Sequence, residues 1–256
     1  MSAMHVQKLA VVLFAYNEAG NLFRLLRRID HVLFRDLRIA EVQYAICVQG
    51  ADGTLAEAKK FASEVENRAS VQIGYFAQPL GVYGAANSAM ALVDGEPDAY
   101  LMMDCDLNHQ PEELPQFFSA LENDCVVIGS RFCQGGRIVG MPLWKKCLST
   151  IFNATASAFL KMPVLDKTSG YRLISGKGIP AIAAEVQGRG FDFYIEFLLR
   201  MSMAGLKIKE VPICFQVRTE GVSKMRFAGT VADYATLLLR LSRIRRSGSG
   251  SIGQHY

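Results

Sequence analysis

The sequence predicts an α/β domain with a mostly parallel central sheet and helices on both faces. Two observations carry this prediction. Short apolar, β-branched runs alternate with amphipathic stretches through the first half of the chain, the pattern of successive βα units. Residues able to do chemistry fall directly after those runs, and ligands on parallel sheets bind beyond the carboxyl ends of the strands.

The elements follow in order. Leu9–Phe14, Gln43–Val48, Val71–Phe76, Ala99–Met103 and Cys125–Gly129 each read as a buried strand. Leu22, Leu25, Leu26, Ile29 and Leu33 line one face of a first helix, and Thr54–Asn67 and Tyr83–Val93 make two more. Pro111-Glu112-Glu113 opens another, with proline in the first turn and acids near the positive end of the helix dipole. The second half is less regular. A glycine-rich stretch (Gly135, Gly136, Gly140) leads to a helix around Leu148–Leu160, then a loop at Asp166–Arg172 and a helix around Phe193–Ala204. Lys207–Val217 alternates and holds Pro212, so it reads as an edge strand or hairpin. A final helix is expected over 228–246, and 247–256 is a Gly/Ser segment expected to be disordered. No internal repeat is present.

Composition narrows the class. Of 256 residues, 50% are apolar and 20% charged, which excludes a disordered or low-complexity chain. No apolar run approaches the ~20 residues of a membrane helix. Leu9–Tyr16 is followed at once by Asn17 and Glu18 without a small-residue cleavage site, so it reads as a strand and not a signal peptide. Six cysteines without a C-x-x-C pair, mostly inside apolar runs, read as buried thiols in a reducing compartment. The expectation is a soluble cytoplasmic protein. Residues 1–128 carry 9 Lys+Arg against 17 Asp+Glu and residues 129–256 carry 19 against 7, for a net charge of +4. An acidic half suits a divalent cation, and a basic half suits phosphates or an anionic membrane. Nucleic acid is not expected, because no basic module interleaved with aromatics is present.

Asp104-Cys105-Asp106 is the sharpest local signal. A strand ending Leu101-Met102-Met103 delivers two acids one residue apart, so both can approach one hard cation, with Asn108 adding an oxygen. His109 follows without partner ligands and reads as structural. Gly81–Gly84 lacks both the Walker and the dinucleotide fingerprint. Trp144 beside Lys145 and Lys146 suits either a membrane interface or plain packing.

With these residues in place, the sequence resembles family-2 glycosyltransferases of the dolichol-phosphate mannose synthase type. The matching segments run in order from Leu9 to about Phe227: Tyr16-Asn17-Glu18, Asp52-Gly53-Thr54, Gly81–Gly84, Met103–His109, Ile128–Arg131, Pro142–Ser149, Asp166–Arg172, Glu210-Val211-Pro212, and Arg218 through Ser223-Lys224. The resemblance implies the GT-A fold over residues 1–227 and inverting transfer of a hexose, mannose foremost, from a nucleotide sugar to a polyprenyl phosphate. It assigns donor binding to Tyr16, Glu18, Gln49, Asp52, Asp104 and Lys224, and Mg²⁺ or Mn²⁺ to Asp104, Asp106 and Asn108. Acceptor phosphate goes to Arg131, Lys145 and Ser149, and the catalytic step to Asp106, Arg131 and Arg218. GDP-mannose is the favoured donor, with a UDP-hexose as the other choice.

Three positions depart from the family pattern. Cys47-Val48-Gln49-Gly50 stands where an Asp pair is usual, so Gln49 is expected to take over the base contact and base identity stays open. Lys145 replaces an Arg four residues before Ser149, keeping charge but not the bidentate fork. Ala15 replaces a Pro. Two other readings remain: a soluble glycosyltransferase acting on a small acceptor, and a non-catalytic nucleotide-sugar-binding subunit. The final helix has an apolar face (Val231, Tyr234, Leu238, Leu241) and a basic end (Arg240, Arg243, Arg245, Arg246), and is expected to lie on the cytoplasmic face of an anionic membrane.

Overall fold

A computed structural model describes residues 4–188, 190, 192–217 and 231–249, the last stretch with side chains over 235–246. The strands are β1 (Lys8–Tyr16), β2 (Glu41–Gln49), β3 (Ser70–Phe76), β4 (Ala99–Met102), β5 (Cys125–Ser130), β6 (Arg137–Val139), β7 (Arg172–Ser175), β8 (Lys207–Pro212) and β9 (Cys214–Gln216). The helices are α1 (Leu22–His31), α2 (Thr54–Val65), α3 (Gly81–Met90), α4 (Leu114–Ala120), α5 (Leu143–Leu160), α6 (Ile179–Ala184), α7 (Asp192–Met203) and α8 (Val231–Ser249). A 3-10 turn at Pro111–Glu113 leads into α4.

Seven strands form one sheet in the order β3-β2-β1-β4-β7-β5-β8, and β6 pairs with β9 in a small second sheet. All pairings in the large sheet are parallel except those of β7, which runs antiparallel between β4 and β5. Alternation along the strands sorts the core into two layers. Leu9, Val11, Leu13 and Ala15 of β1 join Leu22, Leu25, Leu26, Ile29 and Leu33, together with Phe61 of α2 and Phe117 of α4. Ala10 and Val12 point the other way, toward Ala85, Ala86 and Ala89 of α3 and Phe193 and Phe197 of α7. The mostly parallel sheet with helices on both faces is thus as the sequence predicts.

In the first half, β3 is the sheet's edge strand and largely exposed, not the buried strand expected of Val71–Phe76, since no further strand covers it. The other differences lie in the second half. The segment expected as a loop to Arg172 turns into β7 at that residue, because a buried arginine begins a fully buried four-residue strand, Arg172–Ser175. Lys207–Val217 splits into two strands that belong to different sheets: β8 beside β5 is an edge strand, one of the two expected readings, and β9 lies beside β6, so the segment is no hairpin. Helix α5 begins at Leu143, earlier than expected, and β6 and α6 lack a clear sequence signal. Helix α8 reaches Ser249, into the segment expected as a tail; residues 250–256 lie outside those described.

The apolar face of α8 is turned inward, which corrects its assignment as a free membrane-lying helix. Leu238 and Leu241 are buried in the α3/α7 layer, with Leu237 and Ile244 packed against it. Arg240 bonds Asp192 at 2.7 Å and Glu196 at 3.1 Å, and Arg245 donates to the Leu160 carbonyl. Hydrophobic burial and two acids on α7, buried Glu196 and half-buried Asp192, outcompete the headgroup alternative for this face. No described helix is long and apolar enough to cross a membrane.

Docking of α8 has a measurable consequence. Leu241→Ala removes a fully buried side chain and is expected to cost about 2–5 kcal/mol in urea unfolding. Leu239→Ala, on the exposed side of the same helix, should change stability by less than about 0.5 kcal/mol. Equal, small effects would mean that α8 is undocked in solution.

Candidate functional site

The parallel strands β1, β2, β4, β5 and β8 all end at one edge of the sheet. At the first two, the loops lock together. Asn17, at φ 52°, donates its backbone N–H to the Gln49 carbonyl at 3.1 Å. Gly50 sits at φ 95°, and a Cβ there would fall 1.9 Å from Asn17 Oδ1, so only glycine lets the loops meet. The Asp52 carboxylate accepts from Ala19 N–H (3.1 Å), Thr54 N–H (3.0 Å) and the Thr54 hydroxyl (2.5 Å). Thr54 Oγ1 in turn accepts from Glu18 N–H at 2.7 Å. Asp52 therefore fixes the loop that presents Tyr16 and Glu18. Glu18 is buried and Tyr16 exposed. Gln49 Oε1 accepts from Leu80 N–H at 2.7 Å, which ties the β2 end to the start of α3.

Beyond β4, a tight turn through Leu107, at φ 63°, folds the acidic loop back on itself. Asp106 accepts from Asn108 N–H (3.1 Å) and Asn108 Nδ2 (2.6 Å), while Asn108 Oδ1 is buried without a hydrogen-bond partner. Asp104 Oδ1 accepts from the Tyr194 hydroxyl at 3.0 Å. Burial raises the Asp104 pKa, opposed by the Tyr194 hydrogen bond and the charges of Arg131 and Arg172, while Glu18 raises it further. Asp104 thus lies within electrostatic reach of Glu18 and Arg131 on two other loops, Arg172 of β7 and Tyr194 of α7. His109 Nδ1 is 3.7 Å from Asp104 Oδ2, but burial pulls the imidazole pKa down to about 4, so it is neutral and the contact is no ion pair. It stacks on Tyr171 at 5.1 Å, as a structural residue does.

Among the described residues no group of three or more His, Cys, Asp or Glu side chains could hold a metal ion alone. Two acids beside an amide oxygen that lacks a donor nevertheless suit a cation such as Mg²⁺, which takes one or two carboxylates and fills its remaining positions with substrate phosphates and water.

Arg131 follows β5. Its Nε and Nη2 donate to the two oxygens of Asp166, each at 2.7 Å, and Nη2 also meets the Thr168 hydroxyl at 2.6 Å. Burial opposes the guanidinium charge, yet Asp166 outweighs it and holds the pKa above its ordinary value. Arg172 is fully buried where β7 wedges between Met102 of β4 and Ile128 of β5. It donates to the carbonyls of Ser169 (2.9 Å), Lys167 (3.0 Å) and Tyr194 (2.8 Å). Gly170 presses on the acidic loop so closely that a Cβ would fall 2.7 Å from Asp104 Oδ1.

One sheet edge therefore gathers Tyr16, Glu18, Gln49, Asp52, Asp104, Asp106, Asn108 and Arg131. Lys145 and Ser149 lie on α5, a separate element: Lys145 is exposed with its ammonium 5.4 Å from the Trp144 ring, and Ser149 is half-buried. Arg218 and Lys224 lie outside the described residues. Sequence reasoning missed Tyr194, Asp166, Gly170 and Arg172 as supports of the site. The last three stand in the Asp166–Arg172 segment, and Tyr194 carries no local signal beyond its place on an apolar helix.

This fold and edge define the GT-A class of nucleotide-sugar transferases. A mannosyltransferase from Pyrobaculum calidifontis, solved with GDP-Man and Mn²⁺, shares the fold with a TM-score of 0.56 at 11% identity, over 98% of this chain and 77% of that one. Residues 10–179 match glycosyl transferase family 2, and the chain belongs to that family. The polyprenol monophosphomannose synthase of Mycolicibacterium smegmatis is 30% identical over 86% of this chain and 81% of its own length. The dolichol-phosphate mannosyltransferase of Pyrococcus furiosus is 27% identical over 92% of this chain, which spans only 64% of that relative's length.

The Arg131–Asp166 pair sets a limit on mutagenesis. Because Asp166 is fully buried, Arg131→Ala strands a charge and is expected to cost about 3–5 kcal/mol in denaturant unfolding. Arg131→Lys, which keeps the charge, should cost less. A change under about 1 kcal/mol for Arg131→Ala would show that Asp166 finds water or another partner.

Proposed function

We propose that this chain transfers a hexose, mannose foremost, from a nucleotide sugar to a polyprenyl phosphate, with inversion at the anomeric carbon. The observation that carries the reading is the Asp104/Asp106 pair with the orphaned Asn108 amide oxygen, set at the same edge as Tyr16, Glu18 and Arg131. The names of the two relatives support the lipid-phosphate acceptor, and the GDP-Man and Mn²⁺ of the Pyrobaculum neighbour support GDP-mannose and a divalent cation.

Asp104 and Asp106, with Asn108, would hold Mg²⁺ or Mn²⁺, which supplies positive charge to the departing nucleoside diphosphate. Tyr16, Glu18 and Gln49 bind the donor, on a loop that Asp52 stiffens. Arg131, whose Nε and Nη2 are committed to Asp166 and Thr168, offers Nη1 to the acceptor phosphate. Lys145, Ser149, Arg218 and Lys224 bring further donors to the phosphates. No general base is needed, since a phosphate monoester with a second pKa near ~6 is already an oxyanion at neutral pH. The oxyanion displaces the nucleoside diphosphate directly, which inverts the anomeric carbon. The protein works from the cytoplasmic face as a peripheral enzyme.

A panel of GDP- and UDP-sugars with and without a polyprenyl phosphate tests the reading. Glycolipid is expected from GDP-mannose with Mn²⁺ or Mg²⁺, and Asp106→Asn should lower turnover at least about a hundredfold. Transfer only to small soluble acceptors, full turnover in excess chelator, or nucleotide binding without transfer to any acceptor would reject it.

A further inference from the structure

Gln49 ends β2 in a row of three residues. Strand pairing sets Tyr16 of β1 beside it on one side and Phe76 of β3 on the other, and side chains in one row share a face of the sheet. Tyr16, Phe76 and Leu80 are exposed, whereas Gln49 is only 4% exposed. No charged residue occurs between Arg68 and Asp94, so β3, α3 and the loop joining them bring no charge to this row. Aromatic rings thus flank a buried amide. Such a surface fits a flat, uncharged ring that carries its polar atoms in its plane.

The amide cannot turn over. Its Oε1 accepts the Leu80 N–H at 2.7 Å, and an NH₂ group in that place would set donor against donor. Both sides of the contact are held. Gly50 N–H donates to the Phe76 carbonyl at 2.9 Å, which joins the ends of β2 and β3. A Cβ at Gly84 would fall 2.8 Å from Leu80 Cβ, so glycine there lets Leu80 lie against α3. Among the described residues, Nε2 donates to no protein group, and it is not sealed from solvent. The chain therefore presents a fixed NH₂ donor beside an oxygen with one lone pair left.

That order of donor and acceptor matches a ring carbonyl next to a ring N–H. Guanine, hypoxanthine and uracil carry this edge. Adenine in the same pose offers an amine and a bare ring nitrogen, and the fixed amide meets it donor to donor. A carboxylate here would accept from both the ring N–H and the exocyclic amine of guanine; Gln49 takes only the first. No Asp or Glu lies between residues 42 and 51 to accept the amine instead, and Asp52 is turned to Ala19 and Thr54.

We infer that Gln49 selects the donor nucleotide by the carbonyl/N–H edge of its base and does not read the 2-amino group of guanine. The inference rests on the proposed nucleotide-sugar donor and adds which bases the site takes. Full-length protein with Mn²⁺ is titrated calorimetrically with GDP, IDP and ADP, three purines that isolate the edge. GDP and IDP, which differ only in the 2-amino group, should bind within about threefold of each other, and ADP at least about tenfold more weakly. Gln49→Glu should favour GDP over IDP by about tenfold, because its carboxylate accepts the amine. Gln49→Met keeps the unbranched shape without the polar atoms and should let ADP approach GDP, with unchanged circular dichroism.

GDP bound tenfold tighter than IDP by the unaltered protein would reveal another acceptor for the amine; it would overturn the inference and leave the proposed transfer in place. ADP equal to GDP in the unaltered protein, or undiminished discrimination in Gln49→Met, would overturn it as well. The expected pattern in a protein that transfers no sugar would keep Gln49 as the base reader and remove the proposed reaction. Failure to bind any of the three nucleotides would remove both.

Discussion

The sheet edge depends on one buried cation. Arg172 stands with no exposed surface between β4 and β5, the strands whose ends deliver Asp104 and Arg131. Burial lowers its pKa to about 10, so it stays charged at neutral pH. Taking a guanidinium out of water costs several kcal/mol, and here three backbone carbonyls and the fields of Asp104 and Asp166 offset that cost. Those carbonyls belong to the 166–171 segment and to α7. By binding Nε and Nη2 of Arg172, whose Nη1 stays buried without a hydrogen-bond partner, they fix Gly170 against Asp104, Tyr194 within hydrogen-bond reach of it, and Asp166 against Arg131. A neutral side chain at 172 would remove the reason for all three placements.

The same segment carries the coupling outward. Lys167 is buried, its ammonium meeting Ser157 Oγ at 2.5 Å together with the Asn153 and Val164 carbonyls, while Asn153 Oδ1 accepts from Lys167 N–H at 2.9 Å. Burial draws its pKa down to about 8. Glu210 of β8 accepts from Leu165 N–H and Asp166 N–H, both at 2.9 Å. Helix α5 is thus stapled along its buried side to the loop that shapes the acidic site.

Much of this was legible from the chain alone, and the reasons differ by half. In the first half, strand and helix periods are clean because each apolar position answers to one layer: Leu9 through Ala15 alternate between two cores, and Leu22 to Leu33 keep one stripe. The acid pair could be read because a buried strand stops at Met102, two residues before Asp104. Strand β7 could not, since Arg172 looks like a surface residue until the carbonyls that bind its Nε and Nη2 are known. Arg131 reads correctly as an edge residue, but its partner Asp166 lies 35 positions away, beyond any local pattern. The apolar face of α8 looks free in sequence; only packing shows that it is covered.

If the acids after β4 hold a divalent cation together with the donor's diphosphate, metal and nucleotide bind cooperatively. Mn²⁺ binding followed by electron paramagnetic resonance, with and without GDP, measures this directly. The account predicts weak binding of Mn²⁺ alone, tight binding once GDP is present, and loss of the tight state in Asp104→Asn. Mn²⁺ held equally well by Asp104→Asn, or unaffected by GDP, would contradict it.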